Sequence, residues 1–316
     1  MRIGVDIGGT NLVAGLVDEN FKLICKESTP ALAERDGNEI VADIIMLCKK
    51  VMANNNLTAK DIDSIGVGIP GCFDPDTGVI LYCTNINFKN TKLRELIQAE
   101  IDVPVYLGND ADCAALGEAY AGATKDANHS VMITIGTGIG GGIIINKKIY
   151  SGFNHMGGEL GHMVIAKGSD AQCGCGRKGC WEAHGSATAL IRQTKEAVKA
   201  NPESYLAKMV DGDIEKVGGK TAFDAMRAGC PVGTAVVDNY IDLFSTGLIN
   251  IINIFQPEMV VIGGGVSKEG QPFIDAIKKH VDAEVYGKDS GKPKAKLCTA
   301  ILGNDAGVIG AAALGI

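Results

Sequence analysis

From Ile3 to Phe21 the chain runs Ile-Gly-Val-Asp-Ile-Gly-Gly-Thr-Asn-Leu-Val-Ala-Gly-Leu-Val-Asp-Glu-Asn-Phe: an apolar run, a Gly/Thr break, a second apolar run and a polar break. This pattern predicts a strand, a tight turn, a second strand, a polar turn at Asp18-Glu19-Asn20 and a third strand. It returns without gaps from Val131 to Ile149, offset by 128 residues, with Asn146-Lys147-Lys148 as its polar turn. Two like β-sheet domains are therefore expected. A shorter echo supports them: Leu107-Gly-Asn-Asp-Ala111 recurs as Leu302-Gly-Asn-Asp-Ala306, each before an alanine-rich helical segment.

Between these anchors the apolar period changes to that of helices. Ile40, Ile44, Ile45, Leu47 and Val51 predict a helix over Glu39 to Asn54, and Leu93 to Ile101 a shorter one. Ser186 is placed to cap a helix running to about Lys199. Val237, Ile241, Phe244, Leu248, Ile251 and Phe255 form one side of a long helix from Thr234, which stops before Pro257. Ile62 to Ile69, Val103 to Leu107 and Met259 to Ile262 have the apolar runs of buried strands. The domain boundary is expected at residues 110 to 125: residues 1–112 with a returning C-terminal helix, 304–316, as a small N-terminal α/β domain, and residues 113–303 as a larger one.

The 316 residues suffice for two domains with cores of their own. A net charge of −7 and a pI near 5.3 argue against a nucleic-acid surface, which needs a basic face. The first residues have the pattern of a strand and not of a signal peptide, and no apolar run approaches the about 18 residues of a membrane span. A cytoplasmic protein is expected. Of ten cysteines, Cys25, Cys48, Cys72, Cys83, Cys113, Cys230 and Cys298 are scattered, as small core residues are. The other three are not scattered.

Cys173, Cys175 and Cys180 stand in Cys-Gly-Cys-Gly-Arg-Lys-Gly-Cys-Trp-Glu182, and His162 precedes them. One imidazole and three thiolates fill the tetrahedral shell of a structural Zn2+ and leave no open position for water. The metal would fold a loop and place its neighbours, Glu159 and Glu182. His155 and His184 are left out because the four-ligand set is complete.

Asp6-Ile-Gly-Gly-Thr-Asn11 places glycines where a phosphate can approach the backbone, with Thr10 and Asn11 as donors and Asp6 set to hold Mg2+ through water. Ordinary glycine hairpins carry the same residues. The second copy, Gly136 to Gly142, contains G-x-G-x-x-G, but a dinucleotide fingerprint needs a helix next, and here Ile143-Ile144-Ile145 continues as a strand. Two phosphate-type hairpins suggest instead two grips on a nucleoside triphosphate. Gly263-Gly264-Gly265 gives bare backbone for a nucleoside. Gly68-Ile-Pro-Gly71 and Thr84-Asn-Ile-Asn87 offer turn backbone and amides for hydroxyls. A carboxylate at Asp110 can take a proton from an attacking alcohol, yet Asp305 sits in the same pentapeptide, and the residues alone do not choose between them.

Taken in order, Asp6 to Asn11, Gly68 to Gly71, Gly108-Asn-Asp110, Ile135 to Gly141, Glu159-Leu-Gly-His162 and Cys173 to Glu182 resemble the ROK family of sugar kinases and repressors over essentially the whole length. The resemblance implies an α/β actin-like ATPase (ribonuclease H-like) fold, with two related domains around an ATP cleft that closes on the sugar. It implies phosphoryl transfer from ATP, with Mg2+, to the 6-hydroxyl of a hexose as a step of glycolysis, and Asp110 as general base. Asn109, Glu159, His162 and Glu182 would bind the sugar ring, with Gly71 and Asn85 as further contacts. Gly8, Gly9, Thr10, Asn11, Thr137 and Gly138 would hold phosphates, and Gly264 and Gly265 would lie near the nucleoside. Pocket residues and length agree best with the glucose-phosphorylating members. Ala-His-Gly-Ser186 after Glu182 departs from them, so N-acetylmannosamine, N-acetylglucosamine, fructose and allose stay open as substrates. The family's repressors carry a helix-turn-helix before the first phosphate motif, which here begins at residue 6. A homodimer, or a dimer of dimers, is the assembly implied.

Overall fold

In the computed structural model, which describes residues 1–83 and 86–316, the first apolar alternation becomes β1 (Arg2–Ile7) and β2 (Asn11–Val17), paired antiparallel. β3 (Leu23–Pro30) adds to β2, so the third strand starts later than the pattern suggested, after Phe21 has turned the chain at a φ of 60°. α1 (Gly37–Asn54) then crosses to β4 (Ser64–Ile69), which lies parallel to β1. A small antiparallel sheet follows, β5 (Gly71–Asp74), β6 (Val79–Cys83) and β7 (Lys89–Thr91). Next come α2 (Leu93–Glu100), β8 (Val105–Asn109) and α3 (Asp110–Tyr120). The first five-stranded sheet has the order β3-β2-β1-β4-β8.

The period of two along β1 decides what covers each face. Ile3, Val5 and Ile7 are buried in a core that includes Ile40, Ile44, Leu47 and Val51 of α1. Each such side chain contributes about 1.5–3 kcal/mol relative to exposure. On the other face Gly4 of β1 and its neighbour Gly66 of β4 are glycines for a steric reason. A Cβ on Gly4 would stand 1.8 Å from the Val308 carbonyl oxygen, and one on Gly66 1.7 Å from that of Ala311. Helix backbone lies directly on the sheet there.

The second alternation becomes β9 (Ser130–Ile135), β10 (Ile139–Ile145) and the two-residue β11 (Lys148–Ile149). α4 (Glu182–Gly185), α5 (Ala187–Ala200), α6 (Tyr205–Met209), α7 (Thr221–Arg227) and α8 (Pro231–Phe255) come next. They lead to β12 (Met259–Gly264), α9 (Gln271–Glu284), β13 (Lys296–Thr299) and α10 (Ala306–Ala312). The second sheet has the order β11-β10-β9-β12-β13. α8 starts three residues before Thr234 because Pro231 occupies the first turn, where its missing N–H costs nothing. Ser186 caps α5 by accepting from the Ala189 N–H at 3.0 Å.

Contacts group Met1–Met132, Gly142–Gly158 and Ala300–Ile316 into one compact unit, and Ile133–Gly141 with Glu159–Thr299 into another. This differs from a division at residues 112 and 303. Residues 113–132 stay with the first unit because α3 packs on α10 with no side chain between them: a Cβ on Gly117 would stand 2.2 Å from the Ala306 carbonyl oxygen. Buried Glu118 ties the same pair, accepting from the Ile301 and Leu302 N–H groups at 2.9 Å each. Among the described residues no helix is long and apolar enough to cross a membrane.

Candidate active site

In the first unit, parallel pairing brings two carboxylates to one sheet edge. Asp6 of β1 is in register with Gly68 of β4, and Gly68 with Gly108 of β8, so Asp6 and the Asn109-Asp110 junction leave the sheet at the carboxyl ends of their strands. Open α/β sheets bind ligands outside that end. Burial, and then the Asp110 charge, push the Asp6 carboxyl up to about 6. Of the adjoining turn, Gly9, Thr10 and Asn11 are exposed, while the Gly8 N–H donates to the Asn11 carbonyl at 2.9 Å.

Asn109 caps α3. Its side-chain oxygen accepts from the Ala111 N–H at 2.9 Å and the Asp112 N–H at 3.3 Å. That leaves the amide nitrogen as the end of Asn109 suited to a sugar hydroxyl. Asp110 is half-buried at the first helical position, with Oδ1 2.9 Å from the Ala111 nitrogen. Gly71 opens β5 opposite Cys83, and a Cβ there would meet Cys83 Sγ at 2.4 Å. Burial first, then Cys72 and Asp110, push the Cys83 thiol up to about 11. Asn85, a candidate sugar contact, lies outside the described residues.

In the second unit, the ligand atoms of His162, Cys173, Cys175 and Cys180 lie within 4.8 Å of one another. Cys175 and Cys180 Sγ are 3.8 Å apart, and Cys173 Sγ is 3.4 Å from His162 Nδ1. A tetrahedral ion with metal–sulfur bonds of about 2.3 Å and a metal–nitrogen bond of about 2.0 Å has S···S edges near 3.8 Å and S···N edges near 3.5 Å. The donor set and these spacings fit such an ion. Cys173 and Cys180 are buried and Cys175 is exposed. His162 turns Nδ1 to the cluster and Nε2 toward Glu159, 3.8 Å from its Oε2. His155 instead faces Ser151, and His184 is buried in α4, where burial and then Arg192 lower its pKa. Of the scattered cysteines, Cys48, Cys113 and Cys230 are buried as expected, whereas Cys25, Cys72, Cys83 and Cys298 are only half-buried.

Glu182 begins α4 and touches both the cluster and the second hairpin. Its Oε1 lies 3.3 Å from Cys173 Sγ, and its Oε2 accepts from the Ile139 N–H at 3.0 Å. The turn it reaches, Gly136 to Ile139, is closed by the Gly136 N–H on the Gly138 carbonyl and leaves Thr137 exposed. Sequence reasoning missed this link, because 43 residues separate its two ends and neither carries a local sign of the other. Gly264, at the end of β12, has a φ of +88° and is exposed together with Gly265, and a Cβ on Gly264 would stand 2.3 Å from the Ile135 carbonyl oxygen.

A family model described as the ROK family matches residues 2–316. The chain is 36% identical to a glucokinase of Halalkalibacterium halodurans, over 98% of this chain and 92% of that one. Among solved structures it resembles a ROK family glucokinase from Streptomyces griseus in complex with glucose and AMPPNP, with a TM-score of 0.76, 33% identity and coverage of 99% and 98%. A ROK hexokinase from Thermus thermophilus matches with a TM-score of 0.82, 30% identity and coverage of 98% and 96%.

Proposed function

The chain belongs to the ROK family of actin-like ATPase fold, and we propose that it is an ATP-dependent glucokinase, transferring the γ-phosphoryl group of ATP to the 6-hydroxyl of glucose with Asp110 as base. One observation carries the assignment of the base: of the two Asn-Asp pairs, only Asn109-Asp110 joins a strand end to a helix at the sheet edge that also bears Asp6. The near full-length likeness to glucokinases supports glucose as the acceptor.

Phosphoryl transfer asks little covalent chemistry of a protein and much positioning. The Asp110 carboxylate accepts the hydroxyl proton as the sugar oxygen attacks the γ-phosphorus and ADP leaves. Backbone N–H groups at Gly8 to Asn11 and at Thr137 and Gly138 hold phosphate oxygens, and the open backbone at Gly264 and Gly265 receives the nucleoside. Asp6 would hold Mg2+ through water, and the ion would supply charge to offset that spread over the phosphates. Glu159, His162, Glu182 and the Asn109 amide bind ring hydroxyls, with Gly71 leaving room beside Cys83. His162, Cys173, Cys175 and Cys180 would hold a structural zinc ion, which would fix the stretch that carries Glu159, His162 and Glu182.

Ten cysteines, none of them in a disulfide, suit a reducing compartment, which supports a cytoplasmic enzyme, and the family resemblance supports a homodimer. The test is ADP release by the purified protein with ATP and Mg2+ over a panel of glucose, fructose, allose, N-acetylglucosamine and N-acetylmannosamine. Turnover should be fastest with glucose. An amino sugar that outruns it replaces the substrate, and silence on every sugar removes the kinase reading.

A further inference from the structure

Glu182 has more to do than bind a hydroxyl. Its Oε2 takes the Ile139 N–H at 3.0 Å, and the Ala187 N–H, five residues further on, donates to the Gly136 carbonyl at 2.9 Å. The two ends of the phosphate turn are thus tied to one short stretch of chain. That stretch is itself fixed: Tyr240 Oη donates to the Gly185 carbonyl at 2.7 Å, and Trp181 Nε1 to the Phe244 carbonyl at 3.1 Å. Space is equally tight. A Cβ on Gly138 would come within 2.1 Å of Glu182 Oε2, so the carboxylate occupies the volume that any side chain at 138 would need.

Resting on the kinase reading above, we propose that Glu182 is a positioning residue for the second phosphate hairpin as well as a sugar contact, and that it couples the two substrates. A carboxylate anchored on the Ile139 N–H sets the backbone of the Thr137-Gly138 turn. A sugar hydroxyl on its other oxygen orders the same side chain. Each ligand then tightens the other by the same factor, as linkage requires.

The test measures each substrate without the other, by calorimetry on the full chain. Glu182→Ala should weaken AMPPNP binding about tenfold with no sugar present, a change that a residue touching only sugar cannot produce. Glu182→Gln keeps an oxygen for the Ile139 N–H and should restore most of that affinity while glucose binding stays weak. Gly138→Ala, on the phosphate side, should weaken glucose binding about tenfold with no nucleotide present, and it carries the test by itself if Glu182→Ala does not fold. AMPPNP binding unchanged in Glu182→Ala, or glucose binding unchanged in Gly138→Ala, overturns the coupling and leaves the kinase intact. Failure of the unaltered protein to bind AMPPNP removes the kinase reading, and the coupling with it.

Discussion

Leu107-Gly-Asn-Asp-Ala111 and Leu302-Gly-Asn-Asp-Ala306 are the same five residues, and the fold uses them differently. In the first, the strand runs through Asn109, whose side chain caps an 11-residue helix and leaves Asp110 at the sheet edge near Asp6. In the second, Gly303 takes a φ of +57°, a single turn of 3-10 helix follows, and Asp305 pairs with Lys26 on β3. A carboxylate serves as a base when its oxygen is presented to the acceptor hydroxyl, and an ion pair on the surface presents it elsewhere. The strand was duplicated with the residues, but β8 runs through Asn109 whereas β13, at the matching place in the second sheet, ends at Thr299, short of Asn304.

The largest break in this comparison is Asp110→Asn. Losing a positioned base costs on the order of 10²- to 10⁴-fold, so turnover should fall about 10³-fold while the protein keeps its fold and metal content. Turnover retained within a few-fold in steady-state ADP release would put the base elsewhere, with Asp305 the first suspect.

Asp6 sharpens the same comparison through pH. Its folded pKa of about 6 exceeds the ordinary value of 3.8, so the native state holds the proton more tightly than the unfolded chain. This contribution favours folding below pH 4 and is lost as pH rises from 4 through 6. Asp6→Asn should therefore stabilise the protein at pH 7, by on the order of 1–3 kcal/mol in urea denaturation, with the difference gone near pH 4. Its turnover should fall and need far more Mg2+. In the unaltered enzyme, turnover at limiting Mg2+ should climb as pH passes 6. A variant that is less stable at pH 7 would mean that Asp6 is not strained by burial.

The two hairpins diverged in a parallel way. The first has a carboxylate at its base, Asp6, where the second has Thr134; the second is held instead by Glu182 beside the cysteine cluster. Removing one ligand of the proposed zinc site should act on that side. Cys175→Ser should lower zinc content by elemental analysis and raise the glucose KM about tenfold, leaving the rise in turnover near pH 6 in place. Unaltered protein that contains no zinc would refute the ligand assignment.

How much of this was legible follows from how local each signal is. The hairpins, the Ser186 cap and the cluster of four ligands are written in neighbouring residues, and they stand where the patterns put them. β5, β6 and β7 were not anticipated, because their residues are short, half-exposed runs whose pairing is set by register across a sheet. The start of α8 was missed because its apolar stripe begins after the proline that opens it. Glu182 was legible as a residue and not as a link, since its partner is a backbone N–H in a turn that sequence marks only as glycine-rich.

The smallest effect belongs to the second copy of the pentapeptide. Lys26 and Asp305 are about half and one-third exposed, and such pairs contribute about 0–1 kcal/mol. Asp305→Asn should leave turnover within about twofold and shift the urea midpoint only slightly. The informative variant is the pair, Lys26→Met with Asp305→Asn, because it removes the ion pair without leaving either charge alone. If turnover stays near that of the unaltered enzyme, the ion pair is surface packing, and the fold has retired one of two identical carboxylates. A loss of turnover in Asp305→Asn that Lys26→Met does not share would give Asp305 a part in the reaction, and the distinction between the two copies would fail at the residue where it is sharpest.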